Sequence, residues 1–170
     1  SDTANTYAAL RLTAGNTSPA TAQIASIRTG AGQNDLTFQL ETSNTAFEAL
    51  RITSAGTVGI GEDDPDGNTL LIRAASTVQT AKGHIMLTGD SATIGQGPQI
   101  VFSESGGASQ HAGAYIGHMR EGSNSIGNLV FGTRATSGDT NTVPTERLRI
   151  TSAGLVGIGE ATPLAQLHIK

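Results

Sequence analysis

Acid–base or metal chemistry in this chain would fall to four histidines, His84, His111, His118 and His168, and to glutamates such as Glu104, Glu121, Glu146 and Glu160. The histidines stand alone. No His-x-x-x-His or His-Glu pair gives the spacing that sets two ligands, or a base and its orienting partner, side by side. His84 and His168 alternate with Ile85 and Ile169, which places them on the polar faces of strands. A glycosidase needs two carboxylates across a scissile bond, and sequence alone does not bring any two of these glutamates together. Tyr7, Tyr115, four phenylalanines and no tryptophan are also too few for a sugar-gripping cleft.

Two further stretches have the look of ligand loops. In Glu62-Asp63-Asp64-Pro65-Asp66-Gly67-Asn68, the residues Asp64, Asp66 and Asn68 mimic the start of a calcium loop. Glycine comes too early, however, and the twelfth position is Ala75 rather than glutamate. The run reads as a solvated turn. Val58-Gly59-Ile60-Gly61-Glu62 resembles a phosphate-cradling glycine loop, but neither Gly-Lys-Ser/Thr nor a helix start follows it. No catalytic, cofactor-binding or metal-binding residue is therefore assigned, no cofactor is expected, and the chain is expected not to be an enzyme. The Ser-, Thr- and Asn-rich loops 103–111 and 135–144 are the candidates for surface contact.

The elements that would position such residues are repeated. Leu50-Arg51-Ile52-Thr53-Ser54-Ala55-Gly56-Thr57-Val58-Gly59-Ile60-Gly61-Glu62 returns 98 positions later as residues 148–160, with Leu155 in place of Thr57 as the one difference. A proline follows each copy, Pro65 and Pro163, and then an apolar strand, Leu70-Leu71-Ile72-Arg73 or Leu167-His168-Ile169-Lys170. Upstream the order is kept as well. Ile100-Val101-Phe102 stands for Leu10-Arg11-Leu12, Tyr115–Gly122 for Gln23–Gly30, and Leu129-Val130-Phe131 for Leu36-Thr37-Phe38. Apolar residues alternate with a period of two in Leu36–Leu40, and no twelve-residue stretch keeps a helical period. The fold is expected to be all-β: tandem modules over 1–73 and 84–170, with 74–83 as a linker or a single helical turn. A turn is expected over Gly30–Asp35, and a strand over His84–Leu87.

Within the motif, Ser54-Ala55-Gly56 suits a three-residue hairpin loop with Gly56 left-handed. Ile52 then faces Val58, Arg51 faces Gly59 and Leu50 faces Ile60. Leu50, Ile52, Val58 and Ile60 share one face, and Arg51 lies against glycine on the other. Glycine inside a strand implies the close approach of another backbone, so a second chain or a neighbouring layer is expected on the Arg–Gly face. Arg51 and Arg149 are expected to reach a carboxylate or carbonyl on that neighbour.

Bulk composition points the same way. Among 170 residues there are 23 Thr, 22 Gly, 22 Ala and 14 Ser, so large apolar side chains are scarce. Ordering the backbone costs about 1–2 kcal/mol per residue, which favours an oligomer whose subunits bury surface against one another. A net charge of −4 and scattered basic residues argue against nucleic acid. No apolar run approaches the ~20 residues that span a bilayer, so membrane insertion is not expected. There is no cysteine, hence no disulfide framework. The start at Ser1 reads as a fragment or a processed product.

Residues 146–169, Glu-Arg-Leu-Arg-Ile-Thr-Ser-Ala-Gly-Leu-Val-Gly-Ile-Gly-Glu-Ala-Thr-Pro-Leu-Ala-Gln-Leu-His-Ile, resemble a repeat found in tail-fibre and tailspike proteins of bacteriophages, often ahead of a self-cleaving chaperone domain of the endosialidase type. Gly127–Thr133 and the polar loop before the motif resemble the same pattern, and the likeness covers most of 22–73 and 98–170. It implies a homotrimeric fibre segment of intertwined or side-by-side strands, carried on a virion outside the cell and non-enzymatic, which serves host attachment. The partner is then the chain itself, with a host-surface glycan or protein as a possible second. Other readings are a receptor-binding module, a capsule depolymerase and a bacterial surface adhesin. In a trimer, His168 is the candidate to bind an ion on the threefold axis with its two symmetry mates.

Overall fold

The computed structural model describes residues 7–15, 20–74, 85–89, 92–103, 111–137 and 142–170. The chain divides into two units, Ser1–Ile85 and Met86–Lys170. Each unit holds one six-stranded sheet, and no helix occurs among the described residues. The all-β expectation is met. The first sheet contains β1 (Tyr7–Ala14), β2 (Ala20–Gly30), β3 (Gln33–Thr42), β4 (Thr45–Ile52), β5 (Val58–Ile60) and β6 (Leu70–Ile72), adjacent in that order. The second repeats the plan with β7 (Gln99–Phe102), β8 (Ala114–Arg120), β9 (Gly127–Thr133), β10 (Thr145–Ile150), β11 (Val156–Ile158) and β12 (Leu167–Ile169).

The turns follow from local chemistry. Ser43 and Asn44 both take positive φ, 51° and 62°, which closes β3 onto β4 through a two-residue turn of the type whose twist matches the strands. Between β8 and β9, Asn124 and Ser125 are left-handed in the same way. Gly56 and Gly154 both have φ 82°, and the register is Ile52 to Val58, Arg51 to Gly59 and Leu50 to Ile60, with the same pairs in the second copy. The hairpin read from the motif is the hairpin formed.

Two local expectations are corrected. β3 begins at Gln33, so Gln33–Asp35 belong to a strand, and the turn contracts to Ala31-Gly32 with Gly32 at φ 69°. Alternation already starts at Gln33, because Asp35 pairs with Ile27 across β2. Residues 85–89 form no strand, since none of the described residues pairs with them, and His84 lies outside the described residues. Most of the 74–83 linker also lies outside them.

The last strand pair departs from the meander. β5 and β6 run parallel, as do β11 and β12. A parallel return cannot be a tight hairpin, so residues 61–69 and 159–166 must cross a face of the sheet, and that crossing decides which face is closed.

Candidate functional site

Register sorts the side chains cleanly, because residues paired across strands share a face. In the first sheet, Leu10, Ile24, Phe38, Leu50 and Ile60 form one row across five strands, flanked by Leu12, Leu36, Leu40, Phe47, Ile52, Val58, Leu70 and Ile72. The opposite face carries Arg11, Thr21, Gln23, Ala25, Asp35, Thr37, Gln39, Glu41, Glu48, Arg51 and Gly59. The polar face is the closed one. Ala25 and Thr37 are fully buried and Asp35 nearly so. The apolar face is open, with Leu10 61% and Phe38 37% exposed.

The closed face is built around Arg51. Its Nε donates to Glu48 Oε1 at 2.6 Å, Nη2 to Glu48 Oε2 at 2.8 Å and Nη1 to Asp35 Oδ2 at 2.7 Å. The bidentate contact with Glu48, aided by Asp35, holds the guanidinium above its ordinary pKa against the opposing effect of burial. Three positions apart, Glu48 and Arg51 would point to opposite faces of a regular strand. A bulge between them restores a common face, with Ala49 as the extra residue. The Ala49 carbonyl accepts the Gly61 N–H at 3.0 Å, so the bulge also anchors the crossover.

Beside Arg51, the crossover presses directly on Gly59. A Cβ at Gly59 would overlap the Glu62 carbonyl oxygen and reach 3.3 Å from Pro65 Cγ. Pro65 is buried there. The second unit repeats the contact at Gly157, with Glu160 and Pro163. The expected neighbour on the Arg–Gly face is thus a segment of the same chain, and the arginine's carboxylates are intrachain too. The parallel return of the closing strand forces that path.

Glu121 and Glu146 converge on Arg149. Glu146 takes Nε at 2.6 Å and Nη2 at 2.7 Å, and Glu121 lies 4.0 Å from Nη1. Asn128 Nδ2 donates to Glu121 Oε1 at 2.6 Å, and Ser152 Oγ donates to Oε2 at 3.3 Å. Every oxygen of this pair already has a partner, which suits a structural network better than general acid–base work. Glu160 sits at the crossover and accepts from the Thr162 backbone and hydroxyl, both at 2.8 Å. Glu104 lies outside the described residues, as do most of loop 103–111 and residues 138–141 of the other loop.

The acidic run is a self-contained turn. Glu62 Oε1 accepts the Asp63 and Asp64 N–H groups, Asp64 accepts from Asp66, and Glu62 pairs with Arg73. His168 pairs with Gly157 in register, on the closed face, opposite the apolar row. That is the wrong side for an axial ion if subunits meet through their apolar faces. Among the described residues, His118 is the one histidine on an apolar face, in line with Leu129 and Ile150. A groove of about 830 Å³ opens in the second unit between residues 86–89 and the β7–β8 edge, lined by Met86, Leu87, Tyr115, Met119 and Arg120 among others. Burial raises the pKa of Tyr115 there.

Sequence reasoning missed Asp35, Asn128, Glu48 and the burial of Pro65 and Pro163. The signal that could have found Glu48 is the three-residue Glu–Arg spacing, which a strand tolerates on one face only with a bulge. Asp35, Asn128 and the two prolines are placed by long-range contacts.

No protein-family model matches this chain, and no curated protein matches it.

Proposed function

We propose that this chain is a non-enzymatic structural segment of a homotrimeric, phage-type fibre that contributes to attachment at a host surface. The observation that carries the reading is the open apolar face of each sheet. In the first, ten large apolar side chains retain between 37% and 61% of their surface. Their complete burial would yield on the order of 10 kcal/mol. Soluble monomers rarely leave a continuous apolar face of this extent in water. The second sheet offers a near copy, with Ile100, Phe102, Leu129, Ile150, Ile158, Leu167 and Ile169 exposed. A fibre shaft meets both demands, because parallel copies in register bring like faces together along an axis. The resemblance of residues 146–169 to tail-fibre repeats supports the threefold count and the virion location.

The test is native mass by light scattering, with migration of the unboiled sample in SDS. Three chains per particle is the expected result, and a single chain across the accessible concentration range overturns the reading. A receptor-binding role is the second reading, favoured by the groove beside Tyr115. Retention of this protein on host glycans or cells would promote it.

A further inference from the structure

The two apolar faces match nearly residue for residue: Ile24 with Ile116, Leu36 with Leu129, Phe38 with Phe131, Leu50 with Leu148 and Ile60 with Ile158 hold equivalent register positions. One exchange introduces a titratable group. Ser26 pairs with Leu36 in the first sheet, and His118 pairs with Leu129 in the second. We infer that His118 makes self-association through the second face sensitive to pH, so that assembly weakens under mild acid while the first face is unaffected. The inference rests on the self-association proposed above.

The imidazole is held in place. Its Nε2 lies 3.1 Å from the Ser125 carbonyl oxygen, which can only accept, so Nε2–H donates and the free lone pair is on Nδ1. Gly127 makes room for the ring, since a Cβ there would come 2.5 Å from Nε2. Around the ring stand Ile116 and Arg120 on its own strand, Leu129 and Gly127 on β9, Ser125 in the turn, and Gly97 and Pro98 along the β8 edge. Arg120 is the one charge among these described residues, and none of them is a carboxylate. The nearby Glu121 is committed to Asn128 and Ser152.

A second copy laid on this face removes the ring from water, and burial in apolar surroundings disfavours the charged form. The assembled state therefore binds fewer protons than the separated chains. Association is expected to weaken as pH falls across the range in which imidazole side chains take up a proton. With one such group per chain, the association constant falls by up to about tenfold per chain for each pH unit.

The test is a dilution series followed by native mass at about pH 8 and about pH 5, either side of the imidazole range, on the parent and on His118→Ser, which reproduces the first face. The parent is expected to dissociate at higher protein concentration in acid, and His118→Ser to dissociate at the same concentration at both pH values. His118→Gln, which can still donate to Ser125, serves if the serine variant does not fold. A parent whose dissociation is the same at both pH values overturns the inference and leaves the fibre reading standing. A variant that weakens in parallel with the parent also overturns it, by assigning the effect to another group. A parent that is a single chain at pH 8 removes the fibre reading and this inference together.

Discussion

Asp35 and Asn128 do the same work in the two sheets with different charge. Each is buried on β3 or β9, and each accepts the backbone N–H that opens the hairpin turn: Ser54 to Asp35 Oδ1 at 2.9 Å, Ser152 to Asn128 Oδ1 at 3.0 Å. Asp35 adds an ion pair with Arg51. Asn128 instead donates to Glu121, which brings the negative charge from the neighbouring turn.

Asp35→Ala should then cost about 3 kcal/mol, because it leaves Arg51 buried with one anionic partner fewer. Asp35→Asn keeps the Ser54 bond and should cost about half that. The mirror change, Asn128→Asp, sets a carboxylate against Glu121. Like-charge repulsion favours its protonated form, so this variant should gain stability relative to the parent as pH falls from neutrality. Urea midpoints at two pH values measure all three. Equal midpoints for the alanine and asparagine variants would remove the role given to the Ser54 bond.

Gly59→Ala and Gly157→Ala should unfold the clasp of their own module. The added carbon meets a backbone carbonyl rather than a movable side-chain end, and overpacking of this kind costs about 1–3 kcal/mol or more. Gly56→Ala is the control. Nothing lies within 4 Å of its Cβ position, so its cost, about 1–2 kcal/mol, comes from the left-handed backbone alone. Hydrogen exchange separates the two. The Arg73 N–H, bonded to Ile60 at 2.9 Å, should lose protection in Gly59→Ala and keep it in Gly56→Ala.

Acid should loosen both crossovers. The Arg73 guanidinium holds the Glu62 carboxyl below its ordinary range, and the Thr162 backbone N–H does so for Glu160. Carboxylates with lowered values stabilise the fold above the unfolded value of 4.5 and lose that contribution as pH falls through the folded value. Exchange at Gly61 and Gly159 should therefore accelerate below that range, and Glu62→Gln and Glu160→Gln should flatten the profile. A profile unchanged by both substitutions assigns acid sensitivity elsewhere.

Leu10→Glu and Ile100→Glu probe the open faces. At 61% and 51% exposure, either residue would be replaced in an isolated chain at a cost within about 0.5 kcal/mol. In an assembly that covers those faces, an unpaired buried carboxylate is far more costly. Native mass should fall to that of a single chain while the far-ultraviolet spectrum keeps its β signature. Parent mass in both variants would move the interface to another surface.

The repeat itself carried much of the fold. Pairing within the hairpin is set by residues four to ten positions apart and by one left-handed glycine, so local chemistry fixes it. The equivalence of Ile100–Phe102 with Leu10–Leu12 also emerges intact in the register. The Ala49 and Arg147 difference between the copies is compatible with the bulge, which uses that residue's carbonyl, while the Arg147 side chain donates from Nε to Thr133 Oγ1 at 3.2 Å.

What the residues alone could not assign was the identity of the neighbour over Gly59. Alternation divides a strand into two faces but does not say which is covered. That is decided by the path of residues 61–69, since a parallel return must cross one side of the sheet, and it crosses the polar one. The sequence determined the hairpin, its turn and its two faces. The tertiary structure decided that the Arg–Gly face closes within the chain, with the long-range Arg51–Asp35 pair and the Pro65 contact, and that the apolar face stays open.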